Sequence, residues 1–161
     1  SGAVGAGGAL GYWGSFWSTT NQASGGVTSA NVISINNTDP NSSGVSIVSG
    51  SQIKFANAGV YNIQFSAQFA NYHNQDHDVD VWFVLNNSRI DWSNSRFSII
   101  GTHGGINGHY IAAWNYMSTF AANDEIEIYW QTDNTLVQIE RLPASGDAPD
   151  TPSIILTIDK L

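Results

Sequence analysis

Residues 53–69, reading IKFANAGVYNIQFSAQF, leave little choice of local structure. Tyr61, Ile63, Phe65, Ala67 and Phe69 are apolar, and Asn62, Gln64, Ser66 and Gln68 stand between them. A period of two held over this stretch puts every apolar side chain on one face of a β-strand; on a helix the same residues would scatter around the axis. Asn57-Ala58-Gly59 supplies turn chemistry before it, and Ile53-Lys54-Phe55 reads as the end of a preceding strand. The polar face is the unusual part. It carries short amides and a hydroxyl with no Lys or Glu, whereas a solvent face usually mixes both signs of charge. A neutral, hydrogen-bonding face suits contact with another protein surface.

Most of the remaining chain reads the same way. Trp13 to Ser18 is aromatic-rich and ends at Thr19-Thr20-Asn21-Gln22. Asn31 to Ile35 alternates before the turn cluster at Asn36 to Asn41. Val45 to Val48 and Gln52 to Phe55 flank Ser49-Gly50 as a tight hairpin. Val79, Val81, Phe83 and Leu85 alternate with Asp80, Trp82 and Val84 and stop at Asn86-Asn87. Arg96 to Ile100, Tyr110 to Phe120, Glu125 to Trp130, Leu136 to Leu142 and Ile154 to Ile158 complete the set. No window holds a helical period. Short strands punctuated by regular turns predict an all-β, antiparallel two-sheet sandwich of about ten strands. Residues 1–11, SGAVGAGGALG, read as a Gly/Ala-rich linker or stalk remnant, and residues 12–161 as one domain.

Composition narrows the function classes. Only 11% of residues are charged and 12% are aromatic, against about 25% charged in ordinary domains. Such chains are typical of extracellular or particle-borne β proteins. The net charge is −8, and the five basic residues, Lys54, Arg89, Arg96, Arg141 and Lys160, are spread along the sequence. That leaves no basic patch for nucleic-acid phosphates and disfavours anionic membranes. No apolar run is long enough to span a bilayer, so membrane insertion is not expected. Without cysteine there is neither a disulfide framework nor a thiolate metal site.

Tyr110 to Phe120 and Ile154 to Ile158 are apolar on both sides, which predicts strands covered on both faces. A two-layer sandwich covers one face only, so a subunit contact is the simplest second cover. An obligate oligomer follows, with Tyr61 to Phe69 in the same sheet and Trp13, Phe16 and Trp17 joining it.

Three groups of residues are candidates for chemistry. His73, Asp76, His77, Asp78 and Asp80 offer oxygen and nitrogen ligands in one short stretch. Calcium is the cation such carboxylates would suit, since alternate strand positions stand about 6–7 Å apart on one face. The plainer reading is a solvated acidic strand end, and no cofactor is expected. His103-Gly104-Gly105 and Gly108-His109 form a loop whose glycines signal a sharp bend or a close backbone approach. Its imidazoles are either structural or a pH-sensitive subunit contact. Trp82, Trp92 and Tyr129, with Asn and Asp nearby, have the ring faces and polar partners that hold sugars. Catalysis has little footing: no G-x-S-x-G elbow exists, and the alternative of a polysaccharide-cleaving carboxylate pair would need Asp91, Asp124 or Glu140 to meet in space.

The pattern Phe55, Gly59, Tyr61 and Phe65 in FANAGVYNIQF resembles the signature strand pair of trimeric jelly rolls, the globular heads of the first complement component and their tumour-necrosis-factor relatives. A closer resemblance is to bacteriophage structural proteins carrying this domain. It rests on GSFWSTT, GVSIVSGSQIKFANAGVYNIQFSAQ, HDVDVWF, HGGINGHYIAAWNY, EIEIYWQTDNTLVQIERLPA and SIILTI, which run from Gly14 to Ile158, about nine-tenths of the chain. The resemblance implies a ten-strand jelly roll assembled as a homotrimer, with Gln64, Gln68, Trp114, Tyr116 and Ile155 at the subunit interface. It also implies a place on the virion surface, within a larger fibre, tail or head assembly. The function expected is host attachment through a surface glycan or protein, without catalysis. The alternative within the binding class is a purely structural trimerisation or capsid-decoration module.

Overall fold

The computed structural model describes residues 11–161, so the segment read as a linker lies outside the described residues apart from Gly11. Among the described residues fourteen strands follow one another. The first seven are β1 (Trp13–Ser18), β2 (Gln22–Ala23), β3 (Asn31–Val32), β4 (Asn37–Thr38), β5 (Val45–Val48), β6 (Gln52–Phe55) and β7 (Gly59–Asn71). The others are β8 (His77–Leu85), β9 (Ser88–Arg89), β10 (Ser95–Ile99), β11 (Gly108–Phe120), β12 (Glu125–Thr132), β13 (Val137–Ile139) and β14 (Ile154–Lys160). Four of them, β2, β3, β4 and β9, are two residues long. The longer ones match the number of strands expected, although Asn31 to Ile35 forms only the two-residue β3.

They form two antiparallel sheets of seven strands. In the first, β7 is central: β11 lies along one side, and β14 and β13 share the other, with β1 and β4 beyond β14 and β2 beyond β13. The second runs β10-β8-β12-β6-β5, with β3 on β12 and β9 on β8. The strands expected to share one sheet, Tyr61 to Phe69, Tyr110 to Phe120 and Ile154 to Ile158, are neighbours in it, and Trp13 to Ser18 joins them.

Between the sheets the period-two residues interdigitate. Tyr61, Ile63, Phe65, Ala67 and Phe69 of β7 face Val79, Val81 and Phe83 of β8 and Ile126, Ile128 and Trp130 of β12, all buried. Rings join the layers edge-on: Phe65 to Phe83 at 6.1 Å and Phe69 to Trp130 at 5.5 Å between centroids. Edge-to-face pairs of this kind add about 0.5–1.5 kcal/mol each beyond the area they bury.

β11 differs from expectation. Among the described residues it pairs with β7 alone, so it is an edge strand and not a central one, and its outer face is exposed in the single chain. Its register sets Trp114 opposite Phe65 and Tyr116 opposite Ile63, which turns both aromatics toward the core. Trp114 packs edge-on against Phe65 at 4.7 Å, Tyr116 stacks on Phe83 at 4.6 Å, and Tyr110 stacks on Phe97 at 4.4 Å. They close the open side of the sandwich between β10 and β11 while staying partly exposed. Trp114 and Tyr116, expected at the subunit interface, thus turn inward, and the outer face of β11 belongs to Ile111, Ala113, Asn115 and Met117. A strand apolar on both sides reads identically whether it is central or an edge, because the partner count is not in its own sequence.

Turn chemistry follows the sequence closely. Ser49-Gly50, Asn86-Asn87 and Gly104-Gly105 have both central residues at positive φ, as tight hairpins of the I′ kind require. Gly108 answers the other demand on that loop. A Cβ there would stand 1.6 Å from the Ile100 carbonyl oxygen, so only glycine lets the strand pass.

β7 rises roughly 40 Å at about 3.3 Å per residue and defines the long axis of the sandwich. Tyr12 and Leu161 sit at its Val60 end. At its Asn71 end the loops 72–76, 100–107 and 133–136 meet: Tyr72 donates to the Leu136 carbonyl at 3.0 Å, and Thr102 to that of His73 at 2.8 Å. Ile100, Ile106, Leu136 and Tyr72 are exposed there.

Candidate functional site

The outer face of the second sheet carries a built polar and aromatic site. Period two along β8 turns Asp78, Asp80 and Trp82 outward. Cross-strand register then forms two rows, Arg96–Asp80–Gln131 and Trp82–Tyr129–Val32. Asp80 is almost fully buried and accepts four hydrogen bonds. Arg96 gives Nε to Oδ1 and Nη2 to Oδ2, both at 3.0 Å; Asn94 adds 2.9 Å and Gln131 3.1 Å. Burial pushes the Asp80 carboxyl up, but the hydrogen bonds from Arg96, Asn94 and Gln131 and the guanidinium charge outweigh it and hold the group below its ordinary value.

Beside this row Trp82 stacks against Tyr129, ring centroids 6.1 Å apart and planes 28° from parallel. The loop from Ile90 to Asn94 then brings in Trp92. Ser93, itself buried, receives the Phe83 N–H at 3.1 Å and donates to the Ile90 carbonyl at 2.7 Å, while Ile90 donates to the Phe83 carbonyl at 2.9 Å. These bonds pin the loop to β8 on both sides of Asp91-Trp92. Trp92 is thereby held out in full solvent, 103% exposed, on a backbone with φ of +65°. A concavity of about 330 Å³ lies between the pinned loop and the sheet, lined by Trp82, Trp92, Arg89, Asp91, Asn94 and Arg96 with Asp80 and Gln131 in its wall.

The three aromatics proposed as glycan contacts are thus brought together in part. Trp82 and Trp92 line one groove, and Tyr129 supports Trp82 from the next strand without lining it. Sequence reasoning missed Arg89, Asp91, Asn94 and Arg96 as parts of the same site. One signal was available: Asp80 and Trp82 share the parity of one strand, so they share a face. The Arg96 and Gln131 partners depend on strand order, which a single sequence does not reveal.

The metal candidates are dispersed among protein partners. Asp76 accepts the Gly101 N–H at 2.9 Å, Asp78 pairs with Ser98, and Asp80 is held by Arg96. His73 Nδ1 lies 2.8 Å from His77 Nε2, and His77 Nδ1 lies 2.8 Å from Asp133. Among the described residues no three His, Cys, Asp or Glu side chains gather as a metal ion would need. Nor do the carboxylates considered for glycoside cleavage share partners. Asp91 lines the groove, Asp124 holds Asn86 and the Ala121 N–H, and Glu140 is buried against Tyr72 and His109.

The outer face of the first sheet is of another kind. Register aligns Trp17–Ile155–Ser66–Ala113 and Ser15–Thr157–Gln64–Asn115 as rows across four strands, with Gln68 beside Ile111. Along the outward positions of β7, β11 and β14 from Ile111 to Met117, Asn62 to Gln68 and Ile155 to Asp159, only Asp159 is charged. Ile111, Met117 and Ile155 are about half exposed. Of the interface residues expected from sequence, Gln64, Gln68 and Ile155 stand on this face. A second concavity, about 650 Å³, opens beside Trp17 and Ile155 under the loop bearing the Arg141–Asp150 ion pair. At the Asn71 end of the face His109 approaches buried Glu140 at 3.0 Å, while His103 instead bonds the Gly101 carbonyl at 2.8 Å.

No family model matches the chain, and no curated protein sequence matches it. Among solved structures 224 chains match. One of them, the structure of Eiger TNF from S. frugiperda, superposes with a TM-score of 0.59 at 10% identity, covering 94% of this chain and 93% of that one. At that identity the likeness is one of fold. It establishes a TNF-like jelly roll.

Proposed function

We propose that this chain is a non-enzymatic display module that assembles in threes through the outer face of its first sheet and binds a receptor with the rest of its surface. The observation that carries this reading is the near absence of charge across that face, where Ile111, Met117 and Ile155 are exposed beside Gln64 and Gln68. Covering such a face costs little desolvation and removes apolar area from water at about 25 cal/mol per Å². Exposed apolar patches that span a sheet are the usual sign of a protein contact.

The motifs from GSFWSTT to SIILTI support a place on a bacteriophage particle, as a fibre or tail tip or a head decoration. In such a particle the Asn71 end, where Tyr72, Ile100, Ile106 and Leu136 are exposed, is the end that would face the host. Light scattering of the purified protein at micromolar concentration tests the assembly. A mass of three chains is expected, and a monomer's mass throughout that range would end the proposal.

A further inference from the structure

We propose that the groove between Trp82 and Trp92 binds a neutral pyranose sugar, Trp92 and Trp82 offering ring faces and Asp91, Arg89 and Asn94 meeting the hydroxyls. Resting on the reading of the chain as a binding module, the assignment names the ligand class and the place where it is held; it does not depend on the number of subunits.

Four observations converge on it. The first is Trp92 itself. A tryptophan in full solvent gains nothing from burial, and its φ of +65° is one that bulky side chains rarely adopt. The loop around it is fastened by Ser93 to Phe83 and Ile90, so the ring is held out by a fixed backbone rather than left on a loose one. The fold therefore maintains a costly display that contributes nothing to its core.

The second is the pairing of aromatic and polar lining. A pyranose has C–H faces that stack on indole rings and a rim of hydroxyls that need donors and acceptors together. Trp82 and Trp92 supply the first; the Asp91 carboxylate, the Arg89 guanidinium and the Asn94 side-chain oxygen supply the second. The Asn94 amide nitrogen is already committed to Asp80, which leaves its oxygen for a ligand donor.

Charge is the third. The groove holds two arginines and two aspartates: Arg96 is joined to Asp80 by two hydrogen bonds, and Arg89 and Asp91 also line it. The lining is balanced, in a chain whose net charge is −8. An acidic sugar finds no surplus of positive charge there and meets the long-range repulsion of the whole protein. A cationic ligand meets both guanidinium groups. A neutral ligand suffers neither.

Size is the fourth. About 330 Å³ is at the lower end of the roughly 300–1,000 Å³ of small-ligand sites, suited to one or two sugar rings rather than a peptide segment. Asp80, held by Arg96, Asn94 and Gln131, keeps the wall rigid before any ligand arrives.

The test is a glycan array carrying neutral and acidic bacterial-surface glycans, probed with the intact protein, followed by titration of any retained neutral oligosaccharide while tryptophan fluorescence is read. Neutral glycans are expected to bind and to shift the emission. Trp92→Ala should weaken binding at least tenfold, Trp92→Phe should keep most of it, and the far-UV spectrum should be unchanged in both. Retention confined to sialylated or uronate-bearing glycans would overturn the neutral assignment. Binding untouched by Trp92→Ala would overturn the groove. Failure to retain any glycan, with attachment to a panel of bacterial strains preserved, would also overturn it while leaving the receptor-binding reading standing; loss of both would remove the two together.

Discussion

The two sheets share one core and one pleat geometry, yet their outer faces are opposites. Across β11, β7 and β14, from Ile111 to Met117, Asn62 to Gln68 and Ile155 to Asp159, the outward residues are amides, hydroxyls and apolar groups with Asp159 as the single charge. Across β10, β8, β12 and β6 they include Arg96, Asp78, Asp80, Glu125, Glu127 and Lys54, with Arg96 opposite Asp80 and Lys54 opposite Glu125. The tie between Lys54 and Glu125 is 3.7 Å. Charge is what resists covering, because a charged group taken from water loses several kcal/mol unless it is fully re-paired. The distribution of charge thus divides the molecule into a face that can be covered and a face that stays wet. The aromatic groove lies on the wet one.

The comparison breaks most sharply at Gln64, in the middle of the uncharged face. Gln64→Glu keeps size and shape and adds one charge per chain. Like charges brought to about 4 Å repel by roughly 1 kcal/mol in water and about 4 kcal/mol in a surface-like environment. The apparent assembly constant should fall by two orders of magnitude or more. Acid should reverse the loss, because the new carboxylate is neutral below its ordinary value of about 4.3, and crowding by its copies moves that recovery to higher pH. Val32→Glu, at an exposed position beside Tyr129 on the other sheet, should leave the mass unchanged. Equal behaviour of the two variants in sedimentation would mean that both faces are simply solvated.

The same contrast shows what one sequence can carry. Strand identity and facing in β7 and β8 were legible because they are local: parity alone puts Ile63 inward, Gln64 outward, Phe83 inward and Trp82 outward. Turns were legible for the same reason, since Ser49-Gly50 and Asn86-Asn87 need positive φ and their residue types admit it. Partnership was not. Nothing local says that β11 has a neighbour on one side only, so the sequence puts Trp114 and Tyr116 at the subunit interface, whereas their register turns them inward onto Phe65 and Phe83. The groove was half legible. Trp82 and Trp92 stood out as aromatics among polar residues, but their meeting depends on Ser93 fastening a loop to β8, a contact between non-periodic residues.

Trp92 allows a sharper test of what the wet face is for. A non-glycine residue in the left-handed region costs about 1–3 kcal/mol, and replacing it with glycine returns part of that at an entropic cost of about 0.5–1 kcal/mol. Trp92 is fully exposed, so removing its ring forfeits no core packing. Trp92→Gly should therefore raise stability by about 1 kcal/mol, a gain of roughly 2–4 °C in melting temperature for a chain of this size. Glycan retention should be lost in the same variant. A fall in melting temperature would show that the ring supports its loop, and the strain would then need a structural explanation.

Acid provides the finest discrimination, because the buried carboxylate of the wet face has a defined titration direction. Asp80 is held below its ordinary value of 3.8 in the folded chain, so the unfolded carboxyl takes up a proton more readily than the folded one. Its contribution is complete above that value and is lost as pH falls through the lower, folded value. Asp80→Asn keeps the shape but cannot carry the charge that Arg96, Asn94 and Gln131 address. The urea midpoint of the variant should lie below that of the native chain from pH 7 down to about pH 4, and the gap should close as both are taken toward pH 2. The uncharged face predicts the reverse pattern for its own neutral substitutions: Gln64→Ala should shift the midpoint by an amount that does not change with pH. A constant gap for Asp80→Asn down to pH 2 would mean that the ion pair with Arg96 contributes nothing. The groove wall would then rest on the neutral hydrogen bonds of Asn94 and Gln131.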